Sequence, residues 1–178
     1  PLDGTTNFVH GYPSYGTSIG LYHKREPLLG IVMEMPNIKL YTAVKGGGAF
    51  CEGQKITPSE TETLNDSLLV PGFGYEHLEN WDRNMNLFRH FTDITQGVRR
   101  LGAAAIDICH VASGLVDGYW EYDLKQWDMA AGLIIASEAG CKITDIRGKQ
   151  HHLEVDNVVV TNKLIHDELI FESSSYLN

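Results

Sequence analysis

Positive charge is in short supply: 14 lysines and arginines stand against 23 aspartates and glutamates, a formal net charge of −9 over 178 residues. Nucleic acids and anionic membranes need basic clusters that neutralise phosphates, so this balance argues against either as a partner. An anionic small molecule would reach a site here only through bound cations. The 3 cysteines, Cys51, Cys109 and Cys141, lie far apart and odd in number. That excludes a disulfide framework and zinc-type spacing, and points to free thiols in a reducing compartment. His151 and His152 are adjacent, the wrong interval for a helical metal pair, and read as surface residues. No apolar run approaches a membrane span. There is no Gly-x-Ser-x-Gly elbow, no cysteine in a phosphate loop and no Gly-Lys-Ser or Gly-Lys-Thr, so covalent and Walker-type chemistries lack their signatures. Internal repeats and low-complexity tracts are missing too.

What is there is a chain with 43% hydrophobic residues, enough to bury a core. Period-two patterns predict strands over residues 16–23, 28–35 and 40–44, an antiparallel meander, with Lys45-Gly46-Gly47-Gly48 as a hairpin turn. Polar residues 60–66 mark a passage to a second half that opens on a strand at 67–70. Two domains are therefore expected, 1–66 and 67–178. The second half alternates types, with a helix carrying Trp81, Met85, Phe88 and Phe91 as core or interface residues. A helix at 103–113, a strand at 119–122, a buried helix at 129–139 stopped by Gly140, closing strands at 142–145 and 157–161, and a terminal helix at 164–171 follow. The class is α/β.

Two strings carry chemistry. In Pro1-Leu2-Asp3-Gly4-Thr5-Thr6-Asn7-Phe8, a carboxylate precedes a glycine and two hydroxyl residues. If a helix starts after Gly4, its first amides lack intrahelical partners and form an anion cradle with the Thr5 and Thr6 hydroxyls. A carboxylate and a phosphate about 4 Å apart repel by about 4 kcal/mol at an effective dielectric near 20, so a divalent cation belongs between them. In Trp127-Asp128-Met129-Ala130-Ala131-Gly132, Asp128 heads the buried helix and can supply the second carboxylate. Singly, Asp at a helix start is a common N-cap and Asp-Gly a common turn pair.

Together the strings, with Glu138-Ala139-Gly140, closely resemble the two signatures of the inositol monophosphatase family. The resemblance continues through Lys45-Gly46-Gly47-Gly48-Ala49-Phe50-Cys51-Glu52-Gly53-Gln54-Lys55-Ile56 and Arg99-Arg100-Leu101-Gly102-Ala103-Ala104-Ala105, to about Asn162. Gly72-Phe73-Gly74-Tyr75-Glu76-His77 and residues 97–105 look most like plastid and cyanobacterial members. The family's motif has an Asp before Pro1 and a Glu further upstream, and no initiator Met opens this chain. The resemblance thus implies an N-terminally truncated piece of a layered α-β-α-β-α sandwich, inactive by itself.

The resemblance further implies a Mg2+-dependent phosphomonoesterase, lithium-sensitive and homodimeric, acting on a small phosphorylated polyol of the myo-inositol 1-phosphate type. Asp3, Asp128 and the Leu2 carbonyl match metal ligands. Asp3, Thr5 and Asp128 take the catalytic roles, Thr5 by holding the attacking water. Gly4 and Thr5 match phosphate contacts, and Asp128 also touches substrate. Gly102, Ala103 and Ala104 align with the segment that approaches the inositol ring, where small residues at a helix start let amides come close. Glu121 matches a carboxylate that accepts substrate hydroxyls, although by itself it reads as an exposed strand residue. Ala103 departs from the hydroxyl residue frequent there, and the loop 72–79 departs from animal enzymes, so substrate preference stays open among inositol phosphate, histidinol phosphate, a fructose bisphosphate and a nucleotide 3′-phosphate. A regulatory, non-enzymatic role is the alternative of another class. Neither nucleic acid nor membrane is expected as a partner, and the expected location is the cytoplasm, with the chloroplast as alternative.

Overall fold

Strict alternation in the first half builds a sheet with one inward face. The computed structural model describes residues 2–74, 77 and 79–176; Pro1 of the first motif and Tyr75, Glu76 and Leu78 of the loop lie outside them. Strands β1 (Leu2–Asp3), β2 (Tyr15–His23), β3 (Glu26–Met35), β4 (Lys39–Val44), β5 (Gly48–Cys51) and β6 (Gln54–Lys55) pair antiparallel in chain order. Helix α1 (Thr5–His10) is inserted between the first two. The meander and the glycine-rich hairpin turn are as expected. Val32, Glu34, Tyr41, Ala43 and Ala49 turn inward and are buried. On the opposite face Ile19, Leu21 and Val44 stay more than half exposed, at 53, 51 and 56%, and no helix covers them among the described residues.

The second sheet is mixed, in the order β10-β11-β9-β7-β8. It comprises β7 (Leu68–Pro71), β8 (Gly97–Val98), β9 (Gly118–Glu121), β10 (Lys142–Thr144) and β11 (Val158–Thr161). The β7 strand runs parallel to β8 and β9, while β11 is antiparallel to β9 and β10. Every residue of β9 and β11 is buried, as strands covered by helices on both faces must be.

The layer between the sheets is α3 (Ala104–Ala112) and α4 (Gln126–Ala139). Both are apolar nearly all round because each face meets a sheet, and their side chains join Val32, Tyr41 and Ala43 to Val70, Tyr119 and Val160 in one core cluster. Gly140 closes α4 in the left-handed conformation at φ 100°. The outer face of the second sheet is covered by α2 (Glu79–Ile94) and α5 (His166–Ser174) through Leu69, Leu87, Phe91, Trp120 and Leu169. The order is thus sheet, helices, sheet, helices, a mixed α/β architecture.

Two expectations need correction. The buried stripe of α2 is Asn84, Leu87 and Phe91; Met85 is 42% exposed, because the face of 81, 85 and 88 is rotated off the sheet. Trp81 and Phe88 pack instead edge-on against Phe73, at ring-centroid distances of 5.2 and 6.0 Å. His151 is only partly exposed, and its Nε2 is buried without a hydrogen-bond partner. That burial pushes its pKa below the usual histidine value. All three cysteines are unpaired.

Candidate functional site

The beginnings of α1, α3 and α4 and the carboxyl ends of β7 and β9 meet around a cleft of about 820 Å³. Helix beginnings carry unpaired amides and positive dipole ends, and the carboxyl ends of strands are where open α/β sheets leave crevices. Leu2, Asp3, Gly4 and Thr5 line the cleft from the first motif, Gly102, Ala103 and Ala104 from the start of α3, Glu121 from β9 and Asp128 from α4. The structure therefore brings all the sequence-derived candidates to one place.

Asp3 is the joint of this arrangement. Its Oδ1 accepts the Gly4 amide at 2.9 Å and its Oδ2 accepts the Ala105 amide at 2.9 Å. One carboxylate thus ties the phosphate-type turn to the helix that starts at residue 104. Burial is the main reason its pKa rises to about 6, with the Asp128 charge adding to the rise and the two amide bonds opposing it. Gly4 precedes α1 at φ 73°, and a Cβ there would lie 2.7 Å from the Ser14 carbonyl oxygen, so the turn has room only for glycine. The Thr5 hydroxyl reaches the Leu2 carbonyl at 3.4 Å.

Asp128 does not cap its helix from outside. Lys125 is the N-cap, α4 begins at Gln126, and the Asp128 Oδ2 reaches back to accept the Lys125 amide at 2.9 Å. This is the carboxylate half of a capping box. Among the described residues no group of three or more His, Cys, Asp or Glu could hold a metal by itself. The chain offers two mutually repelling carboxylates and a main-chain carbonyl, a hard-oxygen set that suits Mg2+ better than any soft metal. A cation held by Asp3 and Asp128 would oppose the burial that chiefly raises the Asp3 pKa and the smaller repulsion that adds to it.

Glu121 is only 8% exposed, not the solvent-facing strand residue that its local sequence suggests. The Tyr119 hydroxyl donates to its Oε2 in a short hydrogen bond. Burial pushes its pKa to about 8, despite that bond. A Cβ at Gly72 would fall 1.9 Å from the same carboxyl, so glycine at the end of β7 makes the space that Glu121 occupies.

Sequence reading assigned no role to three other residues of the cleft. Asn7 Nδ2 donates to the carbonyls of Ser14 and Leu101, both at 2.7 Å, pinning α1 to the segment before Gly102. Arg100 lies over the Phe73 ring at 4.8 Å to its centroid and brings a cation to the acidic cleft. Asp107, in α3, lines the cleft although it is 1% exposed. The Thr6-Asn7-Phe8 string and the doubled arginine were visible signals for the first two.

Comparisons with known proteins agree on one family. The sequence profile described as the inositol monophosphatase family matches residues 1–177. The chain is 48% identical over 176 residues to the chloroplastic phosphatase IMPL1 of Arabidopsis thaliana, covering 96% of this chain and 47% of that protein. It is 43% identical over 169 residues to an inositol-1-monophosphatase of Synechocystis sp., covering 95% of this chain and 59% of that one. The chain thus spans about half the length of the curated relatives it matches. A solved structure of inositol monophosphatase from Anabaena (Nostoc) sp. superposes with a TM-score of 0.94 at 40% identity, over 98% of this chain and 71% of that one.

Proposed function

The chain belongs to the inositol monophosphatase family, and from that premise we propose that it serves Mg2+-dependent hydrolysis of the phosphate monoester of a small polyol, of the myo-inositol 1-phosphate type. The observation that carries the reading is Asp3, bonded at once to the amide of the phosphate-type turn and to the first turn of α3. A metal carboxylate in that position sets the distance between phosphate and polyol.

Asp3, Asp128 and the Leu2 carbonyl would hold the magnesium, which supplies Lewis acidity that makes water nucleophilic near neutral pH and offsets charge on the leaving oxygen. The rest falls to the chain itself. Gly4 and the first amides of α1 receive phosphate oxygens. The Thr5 hydroxyl, already directed to the Leu2 carbonyl, orients the attacking water. Residues 102–104 bring small side chains and main-chain groups to the ring hydroxyls. Glu121, buried at the end of β9, accepts ring hydroxyls, and the Tyr119 hydroxyl fixes its rotamer.

Release of inorganic phosphate by the full-length protein from myo-inositol 1-phosphate, measured against histidinol phosphate, fructose 1,6-bisphosphate and a nucleotide 3′-phosphate with and without Mg2+, tests the assignment. The expected result is a metal-dependent rate greatest for the inositol ester and abolished in Asp3→Asn. An equal rate in EDTA would end it. Lithium inhibition, a homodimer and a plastid location belong to the same reading, the last by analogy with the chloroplastic relative.

A further inference from the structure

Asp107 is the most anomalous polar group in the described structure. It is 1% exposed and neither carboxyl oxygen has a hydrogen-bond partner, yet it lines the cleft beside Asp3 and Glu121. Buried carboxyls are ordinarily paired or bonded, because desolvation otherwise goes uncompensated. Ser14 and Tyr122 also carry buried unbonded oxygens, but neither holds a carboxyl. Core filling does not explain a carboxylic acid at this position, since the neighbours of Asp107 in α3, Ile106 and Ile108, fill the core with hydrocarbon.

Its place in the helix is informative. Side chains on a helix lean toward the N-terminus, so a residue covers the turn before it. For Asp107 that turn is the one formed by residues 103 and 104, and the amides of Gly102 and Ala103 lie near its carboxyl without closing a hydrogen bond of ordinary geometry. These are the positions that our reading assigns to the substrate hydroxyls. Gly102 stands at φ 85°, and this segment is held on one side by Asn7 through the Leu101 carbonyl and on the other by Asp3 through the Ala105 amide. From beneath, Asp107 is the remaining polar group that can set where the intervening amides point. Glu121 and Asp3 are the charged groups that face it.

We propose that Asp107 is a positioning residue that holds the amides of residues 102–104, and the Glu121 carboxyl beside them, in the register that receives polyol hydroxyls. The proposal rests on the phosphatase reading for its substrate, but not for its structural content. Asp107 touches no reacting atom, so its loss should act on recognition of the polyol and leave hydrolysis of the phosphate ester itself intact.

The test uses Asp107→Leu, which keeps the branched shape and removes every polar atom, and Asp107→Asn, which keeps the hydrogen-bonding shape. KM and kcat are measured with myo-inositol 1-phosphate and with p-nitrophenyl phosphate, an ester without hydroxyls. The expected result for Asp107→Leu is a KM for the inositol ester raised by about tenfold, the size of one lost or misdirected hydrogen bond, with the aryl ester little changed. Asp107→Asn should restore the inositol KM. Equal losses on both substrates, or no change on either, would overturn the proposal. Amide NMR of Asp107→Asn gives a second answer that needs no turnover and serves where the leucine variant does not fold. Shifts confined to residues 102–104 and Glu121 support the positioning role, and shifts spread through the core between the sheets refute it. Because KM and kcat are measured on the full-length protein, a wild type inactive on both esters would count against the phosphatase reading alone, while the amide shifts still decide the role of Asp107.

Discussion

Replacing Asp3 by asparagine should strengthen the metal-free fold while removing its use. A carboxyl held at about 6 against an ordinary 3.8 costs about 3 kcal/mol once ionised in both states, and about 2 after allowing for water at its half-open side. The folded state binds the proton more tightly than the unfolded chain, so stability is lost as pH rises from 3.8 to about 6 and none of the cost applies below that window. Asparagine escapes the cost but has one acceptor oxygen. It must give up either the Gly4 or the Ala105 amide, each at 2.9 Å, at about 1 kcal/mol. Asp3→Asn should therefore be more stable than wild type by about 1 kcal/mol at pH 8, a rise of about 3 °C in Tm. Below pH 3.8 the sign reverses and the variant is weaker by about 1 kcal/mol. Magnesium at a hundred times its Kd should stabilise the wild type by about 2.7 kcal/mol and the variant hardly at all. Urea titrations at the two pH values, with Mg2+ and with EDTA, measure every quantity. A variant destabilised equally at both pH values would show that the carboxyl is a plain structural bracket, and the reasoning would fail.

Other substitutions separate the remaining contacts. Asp128→Asn keeps an acceptor for the Lys125 amide, so circular dichroism should show an intact fold and Tm should move by no more than about 2 °C, equivalent to a few tenths of a kcal/mol at a helix start, while Mg2+-dependent phosphate release disappears. Gly72→Ala drives a methyl into the Glu121 carboxyl, 1.9 Å from the ideal Cβ; overpacking should cost about 1–3 kcal/mol in urea unfolding, with a raised KM for the polyol ester, and a variant with normal KM would mean that Glu121 is not a substrate contact. Asn7→Ala leaves the carbonyls of Ser14 and Leu101 without a donor, and a loss of about 2 kcal/mol by urea unfolding is expected. Asn84→Leu breaks the buried chain in which Trp120 Nε1 donates to Asn84 Oδ1 and Asn84 Nδ2 donates to the Gly72 carbonyl, both at 2.6 Å; a lowered urea midpoint and a Glu121-side rise in KM should appear together.

Much of the architecture could be read in advance because local periodicity maps directly onto exposure. Strands β2 to β4 alternate since only one face of their sheet is packed, and 129–139 reads as a buried helix because both its faces meet a sheet. The same logic locates only part of the stripe on α2. Four large apolar residues at helical spacing suggest a core or interface face, but Trp81 and Phe88 pack on Phe73 after β7, Met85 is 42% exposed, and a polar residue, Asn84, is the one buried beside Leu87 and Phe91. Its amide is satisfied by partners far away in the chain, Gly72 and Trp120, which no local window contains.

The cleft follows the same division. Asp3 and Asp128 stand in strings that single them out beyond the turn and the cap they also serve, whereas the burial of Glu121 and Asp107 depends on layers stacking over them, and nothing in Gly118-Tyr119-Trp120-Glu121 or in a lone acid inside an alanine-rich helix announces it. Burial is what gives these groups their chemistry. It raises the pKa of Asp3 and Glu121, and it does the same to Asp107, with each charge working against the others. A fold stabilised only for its own sake would replace such acids with hydrocarbon, because isolated buried carboxyls are costly and apolar isosteres are not. Acids held apart from water around one cleft make physical sense when something else completes them: a cation for the Asp3 and Asp128 pair, hydroxyl donors for Glu121 and the segment above Asp107. The cost of burying these acids and the proposed chemistry of the cleft are therefore one electrostatic fact, and the pH-dependent sign of Asp3→Asn measures it directly.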